Sequence, residues 1–418
     1  MLPPALRHRD FRLFLCSQAS SFFANAIQQV AVTWLIFRES HSATTLGTAG
    51  LLTGLPMAVS VFFAGAITDR GHAKRLLAAT QVGWAILDLL LCGLVTTSHL
   101  NTNWLIILSA LLGVVNGIDA PVRQVLATRL VPQSELNSAV SLNSLIYDSA
   151  RLLGPAIGGV LLAHLFGASI FLLCGIIHLA AWALQWMIRG HLKLAAHPQD
   201  DLDRTPGQYL PGGTAYTFAL LSLLALIAFA GTSYTTLLPV KASLLHGGAK
   251  TLGLLWSSIG CGAIVGGLWM SNLGKIKHAP HWIAISVAIF AVTLIALSRS
   301  TQSTLCFLGL AIIGLSIMVM MAASSNVLFR ITPRRQQGRV LSLFNLSYMA
   351  MAPFGALYTG LLASKIGVDK VFCVNGLASL LAALAFAIIA PGMNRLLKHI
   401  PQPAPSTAAT TLEEQAAK

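Results

Sequence analysis

The sequence predicts an all-α membrane protein of twelve transmembrane helices, arranged as two pseudo-symmetric six-helix halves. Three observations lead there. The 418 residues are 55% hydrophobic and only 10% charged, with a mean hydropathy of +0.73, whereas soluble chains carry about a quarter charged residues. Apolar runs close to the ~20 residues that a spanning helix needs recur along the whole chain. A polar stretch rich in Asp and Pro then divides those runs six and six. A soluble globule of this composition would have to hide more apolar surface than one core can, and a bilayer removes that problem because lipid tails are as apolar as Leu.

Taken in order, the first six runs are 11–37, 46–68, 76–95, 104–126, 139–165 and 169–188. They make residues 1–190 an N-terminal six-helix half. Residues 191–213 form a central loop holding Asp200, Asp201, Asp203 and Arg204 among Pro198, Pro206 and Pro211. Six further runs, 214–238, 252–273, 282–297, 304–329, 340–363 and 371–390, make residues 214–391 the C-terminal half. The tail, 392–418, is polar and rich in Ala, Thr and Pro, and reads as disordered. The halves align weakly: Val131-Pro132 precedes a span as Thr332-Pro333 does, Ser141-Leu142 matches Ser342-Leu343, and Gly158-Gly159 falls opposite Thr359-Gly360. Parallel halves of this kind enclose one path at their interface.

The net charge of +14 and pI near 9.9 do not indicate nucleic acid, because Lys and Arg fall between the apolar runs instead of forming one patch. With the N-terminus inside, roughly twenty basic residues lie on the cytoplasmic side against about six outside, an asymmetry that predicts cytoplasmic N- and C-termini. The inner set includes Arg7, Arg9, Arg12, Arg129, Lys277 and Arg339; the outer set is Arg38, Lys241, Lys250, Arg299, Lys365 and Lys370. Residues 1–12 are basic and polar without a small-residue cleavage site, which predicts that the first span is retained. The six cysteines each sit in a different apolar run, with no metal-ligand spacing and no disulfide framework. No G-x-x-x-x-G-K-[ST] loop, H-E-x-x-H or G-x-S-x-G is present, so neither an ATP-driven pump nor an intramembrane enzyme is supplied with its chemistry.

Two motifs stand out. The second span ends Gly65-Ala66-Ile67-Thr68-Asp69-Arg70-Gly71-His72-Ala73-Lys74-Arg75. Gly65 permits close helix approach, Asp69 sits where it can face the positive end of a neighbouring helix, and Arg70, Lys74 and Arg75 hold the loop at the membrane surface. The fifth span carries Arg151-Leu152-Leu153-Gly154-Pro155-Ala156-Ile157-Gly158-Gly159. Its Pro bends the helix, and Gly154, Gly158 and Gly159 permit tight packing. The first motif resembles the signature loop of the major facilitator superfamily, with His72 in place of the usual glycine. The second resembles the "antiporter" motif of that superfamily's exporters. The stretch Pro121-Val122-Arg123-Gln124, followed by Val131-Pro132 and by Asn137-Ser138-Ala139-Val140-Ser141-Leu142-Asn143-Ser144, is similar to one branch, which holds the enterobactin exporter and macrolide-efflux proteins. The resemblance covers most of residues 8–190 and is only general in the second half, where Gly266-Gly267 and Ser271-Asn272-Leu273-Gly274-Lys275 form a decayed copy of the loop without its acid.

The resemblance implies a facilitator fold and a multi-pass protein of the bacterial inner membrane. It implies a monomeric secondary carrier with a small-molecule substrate, needing a proton gradient and no cofactor, metal or nucleic acid. The loop would act as a gate that stabilises the outward-facing state; plain topological anchoring is the alternative. Because Arg123 and Arg151 fit the branch pattern, they do not identify the cargo. A siderophore or an amphipathic drug-like compound would be exported; a nutrient importer or a non-transporting receptor are the rival readings.

An Asp at the centre of a membrane helix costs about 3 kcal/mol on insertion scales and needs a partner or a wet cavity. Asp88 is mid-span in the third run, Asp119 and Arg123 are four apart on the fourth, and Asp148 and Arg151 are three apart on the fifth, so each pair can meet on one helix face. They are either proton-titrating sites, with Asp148, Asp119 and Asp88 as coupling candidates, or structural ion pairs. The first run carries a polar stripe, Gln18, Ser21, Asn25 and Gln28, which must face protein or water. In a facilitator fold the first, fourth, seventh and tenth helices line the cavity, which adds Asn116, Tyr234 and Ser324 to the candidate wall. Met318, Met320 and Met321 are adaptable contacts or ordinary filler, and Tyr147 and Tyr348 are candidate aromatic contacts.

Overall fold

The computed structural model describes residues 3–67, 73–165, 167–188, 213–272, 278–332 and 336–398. The N-terminal half contains α1 (Arg9–Ser40), α2 (Ala43–Ile67), α3 (Ala73–Thr96), α4 (Thr102–Arg129), α5 (Leu136–His164) and α6 (Gly167–Trp186). The C-terminal half contains α7 (Gly213–Leu226) and α8 (Leu238–Leu244), which together make one crossing, then α9 (Gly248–Asn272), α10 (Ala279–Ser298), α11 (Ser303–Ile331), α12 (Gln337–Ile366) and α13 (Val368–Lys398). Among the described residues, eleven crossings are long and apolar enough to span a bilayer. The twelfth is α1. At 32 residues it is about 48 Å long, and its hydropathy is lowered by the polar stripe, which the bundle interior takes up.

Most helices begin and end a few residues beyond the apolar runs. Asn101 caps α4 by accepting the Trp104 N–H at 3.0 Å. The final helix departs most from expectation. The predicted disordered tail from 392 is helical as far as Lys398, since Met393 and Leu397 are buried and Arg330 donates to the Leu397 carbonyl at 3.1 Å. Asn394 also bonds to His281. The central loop 191–212 and the remainder of the tail, 399–418, lie outside the described residues.

A second departure is the seventh crossing. Between α7 and α8 the chain passes through a π-helical turn, Ile227–Gly231, and a 3₁₀ turn, Thr232–Leu237. Thr232 bonds back to the Ala228 carbonyl at 3.3 Å, and Ser233 bonds back to Ala228 and Phe229. These hydroxyls occupy carbonyls that a regular helix would bond through backbone N–H groups.

The halves meet through two helix pairs, α2 on α12 and α5 on α9. Both contacts are glycine seams at the end of the bundle away from the start of α1. A Cβ on Gly47 would lie 2.7 Å from the Ala356 carbonyl oxygen and 3.0 Å from Gly360 Cα; one on Gly159 would lie 2.8 Å from Gly253 Cα. No side chain larger than hydrogen fits there without displacing backbone. At this far end one apolar cluster crosses between the halves and joins Val30 of α1 to Tyr234, Leu252, Phe290 and Phe372. Among the described residues, the cores at the end where α1 begins are separate. One, around Phe11, Phe14, Leu77 and Leu126, is made only of N-terminal-half residues; the other, around Leu224, Val327 and Phe386, only of C-terminal-half residues. The bundle is closed at the far end and parted at the N-terminal end.

Candidate functional site: a central cavity and a buried polar network

The gap between the halves is a cavity of about 740 Å³, within the range that holds small-molecule ligands. Its wall draws on α1, α2, α4, α5, the seventh crossing, α9 and α12, and includes Asn25, Gln28, Gln29, Asn116, Arg123, Tyr147, Arg151, Trp256 and Tyr348. Tyr147 and Arg151 are exposed in the middle of α5, consistent with access from the N-terminal end.

The polar stripe of α1 divides along its length. Asn25 and Gln28 reach the cavity, whereas Gln18 and Ser21 are fully buried, outside the cavity wall and without hydrogen-bond partners among the described residues. Their neighbour Ser17 shows what that segment packs on: it donates to the Ala181 carbonyl of α6 at 3.0 Å and accepts from Gln185 at 3.0 Å. Asn116 lines the cavity as expected. Two expected wall residues do not. Tyr234 is fully buried against Phe290 and Phe372, with ring centroids 6.3 and 6.0 Å away. The π turn just before it adds a residue to the local repeat and rotates everything downstream relative to a regular helix. Ser324 is fully buried too. It shares a helix face with Met320, Ala323 and Val327, and that face is packed into the C-terminal core.

Behind the cavity wall lies a continuous polar network in the N-terminal half. Asp119 and Arg123 pair four residues apart on α4, and the Arg123 guanidinium lies 4.2 Å from the centroid of the Phe22 ring. Thr80 of α3 donates to Asp119 Oδ1 at 2.7 Å and Gln81 reaches the same oxygen at 3.4 Å. Gln81 Oε1 is 3.1 Å from His178 Nδ1 on α6, His178 Nε2 is 3.7 Å from Asp88 Oδ2, and Asp88 Oδ1 accepts from Gln28 of α1 at 2.6 Å. Trp84 stacks on His178 with centroids 5.7 Å apart and planes 14° from parallel. Asp88, Gln81, Asp119 and His178 are all fully buried. Asp88 is therefore enclosed between α1, α3 and α6. His178 escapes a sequence reading that weighs only Asp and Arg, although an ionisable residue inside an apolar run was its visible signal.

Asp148 and Arg151 do not form the expected pair: both are exposed and no ion pair joins them among the described residues. The glycines of the α5 motif divide their work. A Cβ on Gly158 would meet Ile27 Cα of α1 at 3.0 Å, within one half, and Gly154 also faces α1 at Ala26; Gly159 faces α9, across the halves. The Ser257 hydroxyl of α9 donates to the Leu152 carbonyl at 2.7 Å on the same seam. Pro155 lies inside the unbroken α5. Of the loop motif, Asp69 and Arg70 lie outside the described residues, as does the side-chain environment of Gly65. Lys74 donates to the Ile188 carbonyl at the end of α6, and Arg75 is exposed. Among the described residues no cluster of His, Cys, Asp or Glu is arranged to hold a metal.

Among the described residues, twelve crossings in two halves enclose a central cavity, and the family match shows a multi-pass membrane transporter of the facilitator type. The chain belongs to the transmembrane secretion effector family of the major facilitator superfamily, whose model matches residues 2–407. It is 26% identical over 398 residues to the staphyloferrin A transporter of Staphylococcus aureus, covering 93% of this chain and 97% of that protein. It is 23% identical over 398 residues to macrolide efflux protein A of Streptococcus pyogenes, covering 93% and 96%. Its fold matches that of a bacterial homologue of the human lysosomal transporter Spinster, with a TM-score of 0.68 at 14% identity over 95% of this chain and 98% of that one.

Proposed function

We propose that the chain exports a small molecule from the cytoplasm across the bacterial inner membrane by alternating access, driven by a proton gradient and without a bound cofactor. A siderophore is the favoured cargo and an amphipathic drug-like compound the second. The observation that carries this reading is the contrast between the two ends of the bundle: shared apolar core and glycine seams at one, separate cores at the other. With both termini cytoplasmic, as the loop charges favour, this is an inward-open state that receives cargo from the cytoplasm. Rocking the halves about the two seams exposes the cavity to the other side, and the monomer is sufficient for that motion.

The names of the relatives support export of a siderophore or a macrolide-like compound. The cavity favours the first, since Asn25, Gln28, Gln29, Asn116, Arg123 and Arg151 offer many hydrogen-bonding groups to a polar cargo. The buried carboxylates Asp88 and Asp119 supply titratable groups beside the cavity, with Arg123 as the partner of Asp119; Asp148 is the exposed alternative. Everted vesicles loaded with the full chain test the reading. Accumulation of iron-free staphyloferrin A, with a macrolide measured in parallel, is expected to follow an imposed pH gradient and to collapse with an uncoupler. Accumulation indifferent to the gradient overturns proton-driven export.

A further inference from the structure

Asp88 on α3 and His178 on α6 face each other in the interior of the N-terminal half, and their facing atoms are in conflict. Asp88 Oδ2 and His178 Nε2 are 3.7 Å apart, and neither has a hydrogen-bond partner among the described residues. Their other polar atoms are committed. Asp88 Oδ1 accepts from Gln28 at 2.6 Å. His178 Nδ1 lies 3.1 Å from Gln81 Oε1, an acceptor, so the ring proton belongs on Nδ1 and Nε2 presents its lone pair. A lone pair thus faces a carboxylate oxygen at a distance longer than a hydrogen bond. One proton in the gap resolves the conflict, whichever side holds it.

The other polar groups around the pair are engaged, except Trp84 Nε1 and Arg123 Nε, which have no hydrogen-bond partner among the described residues. The Cys174 thiol of α6 is directed to the Ala24 carbonyl of α1 at 3.6 Å. Trp84 of α3 fixes the imidazole plane by stacking. Asp119 and Arg123 of α4 are engaged with each other and connect to His178 through Gln81. Gln28, which bonds to Asp88, and Trp84, which stacks on His178, both line the cavity.

We propose that Asp88 and His178 hold one exchangeable proton between them. A proton from solvent enters the gap, bonded to Asp88 Oδ2 and donated to His178 Nε2, and it later returns to solvent. One proton is taken up and one released per cycle, and no bond between heavy atoms changes. This deepens the proton-coupled reading above and rests on it for its purpose, though the shared proton is testable without any cargo.

Infrared difference spectra of the full chain in lipid nanodiscs, taken through an acid–base titration, provide the test. A carboxylic acid C=O band and an imidazole band are expected to titrate together. Asp88→Asn should remove the first and displace the second; His178→Gln should remove the second and displace the first. In Gln28→Leu, which keeps both titrating groups, the two bands should still titrate together. Bands that titrate independently overturn the proposal. A shared proton in a chain that shows no gradient-driven export keeps the pair and overturns the transport reading. Gradient-driven export that is unchanged in Asp88→Asn keeps that reading and overturns the pair.

Discussion

The two halves share a helix plan and differ in what they bury. The N-terminal half encloses Asp88, Asp119, Arg123, His178 and two glutamines in one connected network. The C-terminal half encloses aromatic and aliphatic side chains, with Tyr234 between Phe290 and Phe372 and a bond of 3.3 Å from Asn375 to Thr359. Among the described residues its ion pair is Lys241 with Asp369 at 2.9 Å, near the closed far end, where one buried cation meets an exposed carboxylate. Burying charge in a bilayer is expensive, and the N-terminal half buries a connected group of ionisable side chains where the C-terminal half, among the described residues, buries the charge of Lys241 alone beside an exposed partner. On the proposed reading, proton handling falls to the first half and the other closes against it along the seams.

Three substitutions probe that division, in order of expected effect. Arg123→Leu leaves the Asp119 carboxylate buried beside an apolar side chain. Removing one partner of a buried pair costs about 3–5 kcal/mol, so the melting temperature in detergent should fall sharply, and Asp119→Asn combined with it should recover much of the loss. Gly159→Leu attacks the seam instead of the network. Overpacking costs about 1–3 kcal/mol, and here it falls on the far-end-closed state, so alkylation of a cysteine placed at Tyr147 should slow as the cavity turns away from the N-terminal end. Tyr234→Phe removes a buried hydroxyl that has no partner among the described residues. Stability should hold or rise by up to about 1 kcal/mol, whereas a marked loss would reveal a polar role for the C-terminal half.

The fold was legible because it depends on apolar length, and length survives any uncertainty about which way a helix faces. The α2–α12 seam was foreshadowed by Gly360 standing opposite Gly159 in the internal repeat, and both glycines do lie on seams. The site was less legible because it depends on rotation. Tyr234 was assigned to the cavity because the seventh helix of a facilitator fold lines it, and the π turn at Ile227–Gly231 changes which of that helix's residues face inward. Ser324 was assigned by its polarity, although Met320, Ala323 and Val327 at helical spacing marked its face as core. Asp119 and Arg123 were recognisable as a pair because four residues separate them. The bond from Gln28 to Asp88 spans 60 residues, and no local pattern announces it. His178 carried a signal that composition obscures, since a neutral histidine adds nothing to a charge count.

The most direct test sets one residue of each half side by side in the same vesicles. Export driven by an imposed pH gradient should be lost in Asp88→Asn and retained in Tyr234→Phe, with both variants folded and inserted to the level of the unmodified chain. Export that survives Asp88→Asn and fails in Tyr234→Phe would contradict the division of labour between the halves.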